Sequence, residues 1–296
     1  MIVPPWGRRP SSKFELHEPT FQAQHCPMKT DASADASTGQ VSTTAAEVYE
    51  KFFVPALFCQ WVEPMLDAVN PVDGDRLLDI GTGTGVVARA ALRRVGAGGS
   101  VVAVDPNDGM LAVAKRLTPG LDLRRGTAEH LPIDTDEIDC VTCQFALMYF
   151  QDRARAISEI ARVTRPGGRV AVATWAAVEE SPGYAAMVDL LGDEIGEWAA
   201  EATRAPFCLG APAQLGDLLR MSFSEVTVER HEGQACFESL DDWLHTEIRG
   251  WTLAEHIDDD QYARLRRAAA TRLARFVTGD GSVRFAAPTL IASASV

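Results

Sequence analysis

The sequence predicts an α/β protein with a doubly wound, mostly parallel, Rossmann-like sheet, and two observations lead to that prediction. Short apolar runs alternate with amphipathic helical segments between residues 76 and 175. Buried parallel strands consist of such apolar runs, and a helix joins each strand to the next across one face of the sheet. The first run ends in a glycine loop that leads directly into a helical segment, as at a nucleotide-binding sheet edge.

Seven strands and the helices between them follow from the hydrophobic periodicity. Strands are predicted at residues 76–80, 100–104, 121–125, 138–143, 169–175, 225–230 and 282–291. Helices are predicted at residues 57–69, 86–95, 109–117, 152–163, 183–200, 213–221, 240–249 and 260–276. Pro64 lies inside the first helix, where a proline removes a backbone donor, so a kink or break is expected there.

The chain divides into a tail and one domain. Residues 1–43 contain five prolines and the low-complexity stretch DASADASTGQ, which bury too little apolar surface to offset the entropy of ordering. We therefore expect a disordered tail at residues 1–43 and a single domain at residues 44–296. Within the domain, residues 181–221 are expected to form a helical cover over the sheet edge.

The composition limits which classes of partner and which cellular compartment are expected. Forty-one acidic residues against 28 basic ones give a net charge of -13, which disfavours nucleic acid and anionic membrane surfaces as partners. No uninterrupted apolar run approaches the ~20 residues needed to span a bilayer. The six cysteines are scattered rather than spaced as a disulfide framework, so free thiols and a cytoplasmic location are expected. The expected partner is a small-molecule substrate.

The most informative segment is the loop Gly81-x-Gly83-x-Gly85, between a strand and a helix. Glycines allow a tight turn and a close approach to a ligand, and the helix N-terminus adds unpaired N–H groups. A dinucleotide fingerprint would need a third glycine at Val86. Asp79 suits a cationic ligand better than a pyrophosphate, which favours S-adenosylmethionine, with its ammonium and sulfonium groups. An NAD(P)-dependent oxidoreductase remains the alternative.

A second acidic position supports a nucleoside ligand. Asp105 ends the predicted strand at residues 100–104 and lies 20 residues beyond Gly85. A carboxylate at this place can accept hydrogen bonds from both hydroxyl groups of a ribose. Alone the signal is weak, because strand ends often carry a solvated aspartate. Together with the glycine loop it indicates a cofactor with a ribose.

Five segments, taken in order, resemble the successive motifs of a known family. They are LLDIGTGTG, VVAVDPNDGM, GTAEHLPI, DCVTCQFALMYF and RVTRPGGRVAVATW. The sequence resembles the class I methyltransferases, particularly the ubiquinone/menaquinone-biosynthesis type, over residues 45–180. The resemblance implies a sheet of order 3-2-1-4-5-7-6 with an antiparallel last strand. It also implies transfer of a methyl group from S-adenosylmethionine to a small acceptor such as a quinone, phenol or amine.

The resemblance also implies a set of cofactor-binding residues: Tyr49, Asp79, Gly81, Thr82, Gly83, Gly85, Asp105, Pro106, Met110, Ala128, Glu129 and Gln144. The glycines would wrap the methionine half, with Asp79 near its amino group and Gln144 near the same end. Asp105 would bind the ribose, and Tyr49 would close over the cofactor.

The remaining residues of the set concern the adenine. Pro106 and Met110 would pack against its ring, and Ala128 and Glu129 would border it. One departure from the family is Thr127, where many relatives have an aspartate that accepts a hydrogen bond from the adenine amino group. Because of this departure we expect either weaker binding of the cofactor or a substitute contact from Glu129. The departure also leaves a non-catalytic cofactor-binding module as an alternative.

Two points of chemistry complete the expectations. The sequence identifies no catalytic base, because nothing fixes one among His245, Tyr149 and Asp152. Cys140 and Cys143 have the spacing of half a metal site, but residues three apart on a strand point to opposite faces. They are interpreted as core thiols, and no metal is predicted.

Overall fold

The computed structural model describes residues 43–249, 253 and 256–296. The predicted disordered tail, except for its last residue, lies outside the described residues and stays a prediction. The strands, in chain order β1 to β9, are Arg76–Ile80, Ser100–Asp105, Asp122–Arg125, Ile138–Gln144, Thr164–Trp175, Ser224–His231, Gln234–Phe237, Val283–Ala286 and Thr289–Ser295. The helices, α1 to α10, are Thr43–Val48, Val62–Val69, Val86–Val95, Asp108–Leu117, Arg153–Val163, Pro182–Glu194, Glu197–Arg204, Pro212–Arg220, Leu240–Arg249 and Asp259–Arg272.

The main sheet has the predicted topology. Its order is β3-β2-β1-β4-β5-β9-β6, in which β9 takes the place of the expected seventh strand. The neighbouring strands among β1 to β5 pair in parallel, whereas β9 is antiparallel to both β5 and β6. The fold class is therefore confirmed. The carboxyl ends of the central parallel strands meet at one edge, where such sheets bind their ligands.

The prediction of one strand at residues 282–291 is wrong in detail. The segment divides into β8, which pairs with β7 in a separate two-stranded sheet, and β9, which enters the main sheet. Pro288 lies between the two strands. Because proline has no N–H to donate, it cannot continue the β7–β8 ladder, and the chain passes from one sheet to the other there.

The predicted kink at Pro64 is also wrong in position. The break lies earlier, at Cys59–Trp61, where a π-helical segment, Tyr49–Phe58, gives way through a 3₁₀ turn to α2. Pro64 is the third residue of α2. In the first turn of a helix the missing N–H has no intrahelical partner to lose, so proline is tolerated there.

The helical stretch Ala45–Val69 is longer and more apolar than the sequence analysis anticipated. Its 25 residues have a mean hydropathy of 1.2 in the most apolar window, enough by length and composition to cross a membrane. However, 56% of that window is buried inside the fold. Trp61, Met65 and Leu66 are buried in the main hydrophobic core, as expected of a core helix.

Candidate functional site

A cavity of about 650 Å³ opens at the carboxyl ends of the parallel strands. Nine of the twelve predicted site residues line it: Tyr49, Gly81, Gly83, Asp105, Pro106, Met110, Ala128, Glu129 and Gln144. They come from the π-helical segment, from the ends of β1, β2 and β4, from the loop after β3, and, for Met110, from α4. The topology thus brings together residues that are far apart in the sequence.

The other three predicted residues, Asp79, Thr82 and Gly85, lie behind this wall. Asp79 is buried beneath the glycine loop, where it accepts hydrogen bonds from the hydroxyls of Thr82 (2.6 Å) and Thr142 (2.8 Å). Gly85 caps the N-terminus of α3 with a φ of 85°, and a side chain there would point towards Ala114 and away from the cavity. All three therefore support the loop from behind.

The glycine loop approaches the cavity with backbone alone. Gly81 and Gly83 have φ values of 65° and 55°, in the left-handed region that glycine adopts without strain. A Cβ atom on Gly81 would lie 2.3 Å from the Cβ of Ala146, so the close approach of the two segments requires glycine. A Cβ atom on Gly83 would instead face the ring of Tyr49, with the nearest ring carbon 3.8 Å away.

Asp105 joins the glycine loop to the end of β2. Its Oδ2 accepts a hydrogen bond from the N–H of Gly83 (2.8 Å), and its Oδ1 accepts one from the N–H of Asn107 (2.8 Å). An ionised carboxylate has about four acceptor sites, so each oxygen retains capacity for a ligand hydroxyl. The side chain is thereby held in one orientation at the cavity wall.

The loop after β3 borders the cavity and is tied to the loop after β4. Oε1 of Glu129 accepts hydrogen bonds from the N–H groups of Gln151 (3.0 Å) and Asp152 (3.4 Å). Thr127 also lines the cavity and is exposed, whereas Ala128 is buried. The carboxylate of Glu129, the expected substitute for the missing aspartate, therefore also joins these two loops.

The end of β4 carries an unsatisfied acceptor and a strained residue. Oε1 of Gln144 is buried and has no hydrogen-bond partner in the described residues. Phe145, which also lines the cavity, has a φ of 53°, a conformation that costs a non-glycine residue on the order of 1–3 kcal/mol. Its ring stacks on Trp175 at 4.0 Å. No sequence signal marks the left-handed conformation of Phe145, because such conformations at non-glycine residues depend on the tertiary fold.

The π-helical segment holds Tyr49 over the glycine loop. Arg89 of α3 forms an ion pair with Glu50 (2.9 Å) and donates to the carbonyl oxygen of Thr84 in the loop. Burial raises the pKa of Tyr49 above its ordinary value, and the nearby Tyr149 and Asp105 add to the effect. The hydroxyl of Tyr49 therefore stays neutral at the cavity wall.

Two buried carboxyl groups make this end of the sheet electrostatically unusual. Loss of hydration raises the pKa of Asp79 to about 6 and that of Asp105 to about 6. Neither takes part in an ion pair within the described part of the chain. Charge without a protein counter-ion is costly in such a place, and a cationic ligand would lower that cost.

The first prediction concerns stability without ligand. Asp79→Asn is expected to raise the free energy of unfolding at pH 8 by about 2–3 kcal/mol, because a carboxyl group whose pKa is raised from 3.8 to about 6 destabilises the folded state once ionised. Below the pKa that Asp79 has in the unfolded state, aspartate is as neutral as asparagine. The gain in the free energy of unfolding therefore disappears as pH falls from about 6 to about 4. Denaturant unfolding across this range measures it.

The control for this prediction is Asp134→Asn, which removes the same charge from an exposed loop position. Its free energy of unfolding is expected to differ from that of the unmodified chain by no more than about 0.5 kcal/mol at any of these pH values. An Asp79→Asn gain that does not depend on pH would contradict the assignment of the effect to the carboxyl charge.

The described residues contain no group of three potential metal ligands among His, Cys, Asp and Glu. Cys140 and Cys143 are both fully buried on β4 with free thiols. Burial raises the pKa of each thiol to about 12. Cys143 thus acts as a small apolar core residue, whereas the Cys140 sulfur also accepts a hydrogen bond from Arg169 (3.0 Å).

The fold and the site together define a class of protein. A seven-stranded sheet of order β3-β2-β1-β4-β5-β9-β6, a glycine loop after β1 and an aspartate ending β2 are the features of a class I methyltransferase. A family profile described as "Methyltransferase domain" matches residues 78–172. The profile therefore covers the parallel half of the sheet and the glycine loop.

Curated relatives extend the match. A demethylmenaquinone methyltransferase of Streptomyces avermitilis is 35% identical over 158 residues, which are 50% of this chain and 67% of the relative. One of Renibacterium salmoninarum is 40% identical over 114 residues, 38% of this chain and 47% of the relative. The chain spans about half the length of most of the curated relatives that it matches. The chain belongs to the class I methyltransferases of the demethylmenaquinone methyltransferase type.

Solved structures show the same fold at lower sequence identity. Phosphoethanolamine N-methyltransferase 2 of Haemonchus contortus, in complex with S-adenosyl-L-methionine, superposes with a TM-score of 0.56 at 20% identity, over 88% of this chain and 58% of that one. A structure described as a methyltransferase from Bacillus halodurans gives a TM-score of 0.56 at 20% identity, over 79% and 97%. This likeness concerns the fold.

Proposed function

We propose that this protein binds S-adenosylmethionine and transfers its methyl group to a small-molecule acceptor. The observation that supports the proposal best is the Asp105 carboxylate, which is anchored to Gly83 of the glycine loop on the cavity wall. A nicotinamide cofactor is not favoured, because Val86 stands where a dinucleotide loop has its third glycine.

The residues around the cavity fit this cofactor. Asp105 would accept hydrogen bonds from the ribose hydroxyls, and the buried oxygen of Gln144 would accept one from the amino group. The backbone of Gly81 and Gly83 would approach the methionine half; a Cβ atom on Gly81 would push Ala146, which also lines the cavity, out of place. Asp79, one layer behind, adds negative potential beneath a ligand with two positive groups.

The protein's own contribution is positioning and the exclusion of water. When bound, the cofactor supplies an electrophilic methyl group on a positively charged sulfur. Holding the acceptor in line with that methyl group can contribute on the order of 7–11 kcal/mol to lowering the barrier. The aromatic side chains at the end of β4 and β5, Phe145 and Trp175, would keep this region dry.

We propose that α6 and α7, within the expected cover at residues 181–221, lie over the acceptor, whereas α8 packs against β6, β9 and α5. Tyr184 of α6 and Phe207 after α7 line a second cavity beside the first, together with Trp175 of β5. Deletion of the whole cover would be a poor test, because Met187 and Leu190 of α6 are fully buried in the core. A single substitution at the cavity wall is sharper.

A second prediction tests the cover. Phe207→Ala is expected to raise the KM for the acceptor about tenfold, because a ring that would contact the acceptor is lost, a change of roughly 1–3 kcal/mol. Affinity for S-adenosylmethionine is expected to stay the same, since Phe207 does not line the larger cavity. Steady-state kinetics and calorimetry measure the two quantities.

The matched control is Trp198→Ala, a larger truncation at an exposed position of α7. It should leave both the acceptor KM and the cofactor affinity unchanged. A Phe207→Ala variant that loses affinity for S-adenosylmethionine and keeps its acceptor KM would contradict the proposed cover.

Titration calorimetry of the purified protein tests the function directly. We expect binding of S-adenosylmethionine and S-adenosylhomocysteine and none of NAD or NADP. Incubation with methyl-labelled cofactor and a panel of quinols, phenols and amines should then give a labelled small molecule. Absence of affinity for both adenosyl compounds would refute the proposal, and affinity without transfer to any acceptor would favour a non-catalytic cofactor-binding module.

We also propose a cytoplasmic location, which the free thiols of the described cysteines support.

A further inference from the structure

A second cavity lies beside the larger one, beneath the helices that follow β5. Its volume is about 60 Å³, room for on the order of four water molecules and hence for the reacting end of a small molecule. Aromatic rings from separate parts of the chain dominate its wall: Phe53, Tyr149, Trp175, Tyr184 and Phe207. Such a wall suits a flat, apolar group.

The two cavities adjoin one another. Tyr149 lines both of them. Trp175 of the smaller cavity stacks on Phe145 of the larger one, with ring centroids 4.0 Å apart and planes 19° apart. A molecule in the smaller cavity would therefore lie next to the end of β4, where Gln144 faces the larger cavity.

One ionisable carboxyl group faces this aromatic cavity. Glu247 of α9 is the only residue with a charged side chain among those that line it in the described part of the chain. Its Oε1 accepts a hydrogen bond from the hydroxyl of Tyr184 (2.7 Å), and no described ion pair includes it. Loss of hydration raises the pKa of Glu247 to about 7. A carboxyl group so poised can take or give a proton near neutral pH.

We infer that the smaller cavity is the acceptor pocket, that the acceptor is a flat apolar molecule with a weakly acidic hydroxyl group, and that Glu247 takes the proton of that hydroxyl. The inference rests on the proposed function and specifies its acceptor and its base. Since no cationic side chain lines the cavity in the described residues, an acceptor with a phosphate or carboxylate near its reacting end would be disfavoured.

The proposed step balances in atoms and charge. The acceptor oxygen forms a bond to the methyl carbon as the bond between that carbon and the sulfonium sulfur breaks. The hydroxyl proton passes to the carboxylate of Glu247, and the sulfonium becomes a neutral thioether. The proton leaves to solvent after product release, so no further reactant is needed.

The test uses 1-naphthol as the acceptor probe and compares the intact chain with Glu247→Gln. We expect kcat to fall at least about 100-fold, the usual contribution of a general base, and the acidic limb of the kcat–pH profile near pH 7 to disappear. The amide can still accept the Tyr184 hydrogen bond, so the Kd of 1-naphthol, read from tryptophan fluorescence with S-adenosylhomocysteine present, should stay within about threefold.

Tyr184 is a positioning residue in this arrangement, and Tyr184→Phe gives a second readout. Its hydrogen bond favours the ionised form of Glu247, so its removal should move the acidic limb to higher pH. Tyr149 and Tyr184, the other titratable groups on this wall, have pKa values raised by burial and by the charge of Glu247. Both are neutral in this range, so the limb reports Glu247.

The control is Glu238→Gln, the same change at an exposed position just before α9, which should leave kcat unchanged. A Glu247→Gln variant that keeps kcat within about threefold of the intact chain would overturn the assignment of the base. Methylation of amines but of no hydroxyl compound would overturn the acceptor class. Both outcomes leave the proposed function standing, whereas failure of the intact chain to bind either adenosyl compound would refute that function itself.

Discussion

Replacing Asp105 with alanine is expected to weaken the affinity for S-adenosylmethionine roughly 100-fold or more. Two hydrogen bonds from ribose hydroxyls to an ionised carboxylate contribute about 1.5–3 kcal/mol each, and every 1.4 kcal/mol changes Kd tenfold. The variant also removes the acceptor for the N–H groups of Gly83 and Asn107, which loosens the glycine loop. Titration calorimetry with S-adenosylmethionine and with S-adenosylhomocysteine measures the loss.

The pH dependence of binding gives the same prediction a second readout. The pKa of Asp105 is raised to about 6 by burial. The proposed hydrogen bonds from both ribose hydroxyls need the ionised carboxylate, because a protonated one has fewer acceptor sites. Affinity should therefore fall as pH decreases below about 6, and Asp105→Ala should reduce this dependence to the part that the charge of Asp79 contributes. Asp134→Ala removes an equal charge from an exposed loop and should bind the cofactor normally. If Asp105→Ala retains affinity within about threefold, the assignment of the cavity to an adenosyl cofactor is wrong.

The parallel half of the fold could be predicted because its signals are local and ordered. Most of these strands are short apolar runs, with β3 (DLRR) the exception, and the glycine loop and Asp105 mark the carboxyl ends of β1 and β2. Once those ends are known, the topology of a doubly wound sheet brings them to one edge. The predicted residues that line the cavity come from these strand ends and from the π-helical segment before β1.

Orientation within that half could not be read from the sequence. Asp79 lies on a strand whose residues are buried on both faces, so no polar alternation shows which way its side chain points. It points behind the loop, to Thr82 and Thr142. Gly85 is required by the backbone at the start of α3 and not by the cavity. Motif membership alone does not separate these roles.

The last third of the chain offered weaker signals. The division at Pro288 depends on which sheet each half joins, a non-local choice that periodicity does not reveal. Glu247 was missed altogether. Its trace in the sequence is its spacing on α9, four residues after the buried Trp243 and three after the buried Leu244, which puts a carboxyl group on an apolar helix face.

Three carboxyl groups with raised pKa values lie around the two cavities: Asp79, Asp105 and Glu247. None of them has an ionic partner among the described residues, although arginine pairs are common elsewhere on the chain. In the first cavity this arrangement favours a ligand that brings positive charge, and in the second it favours a ligand that gives up a proton. The lack of counter-ions therefore lowers the stability of the folded protein and at the same time favours the proposed ligands.

Gly81→Ala is expected to abolish cofactor binding and to lower the free energy of unfolding by roughly 2–5 kcal/mol. About 1–2 kcal/mol comes from a left-handed φ of 65° at a residue with a Cβ atom. A further 1–3 kcal/mol, roughly, comes from the overlap of that atom with the Cβ of Ala146, 2.3 Å away. Calorimetry and denaturant unfolding of the same preparation measure both quantities.

The two causes can be separated with further variants. Gly167→Ala imposes a φ of 76° in the irregular first part of β5, where a Cβ atom meets nothing within 4 Å, so it should lose the strain energy alone and bind cofactor normally. In the double variant Gly81→Ala with Ala146→Gly the overlap is gone, so stability should recover to the level of Gly167→Ala and part of the affinity should return. If the double variant is no more stable than Gly81→Ala, the close packing of the glycine loop against the end of β4 does not shape this cavity. If Gly81→Ala binds the cofactor as well as the intact chain does, the loop is not the wall that holds the methionine half.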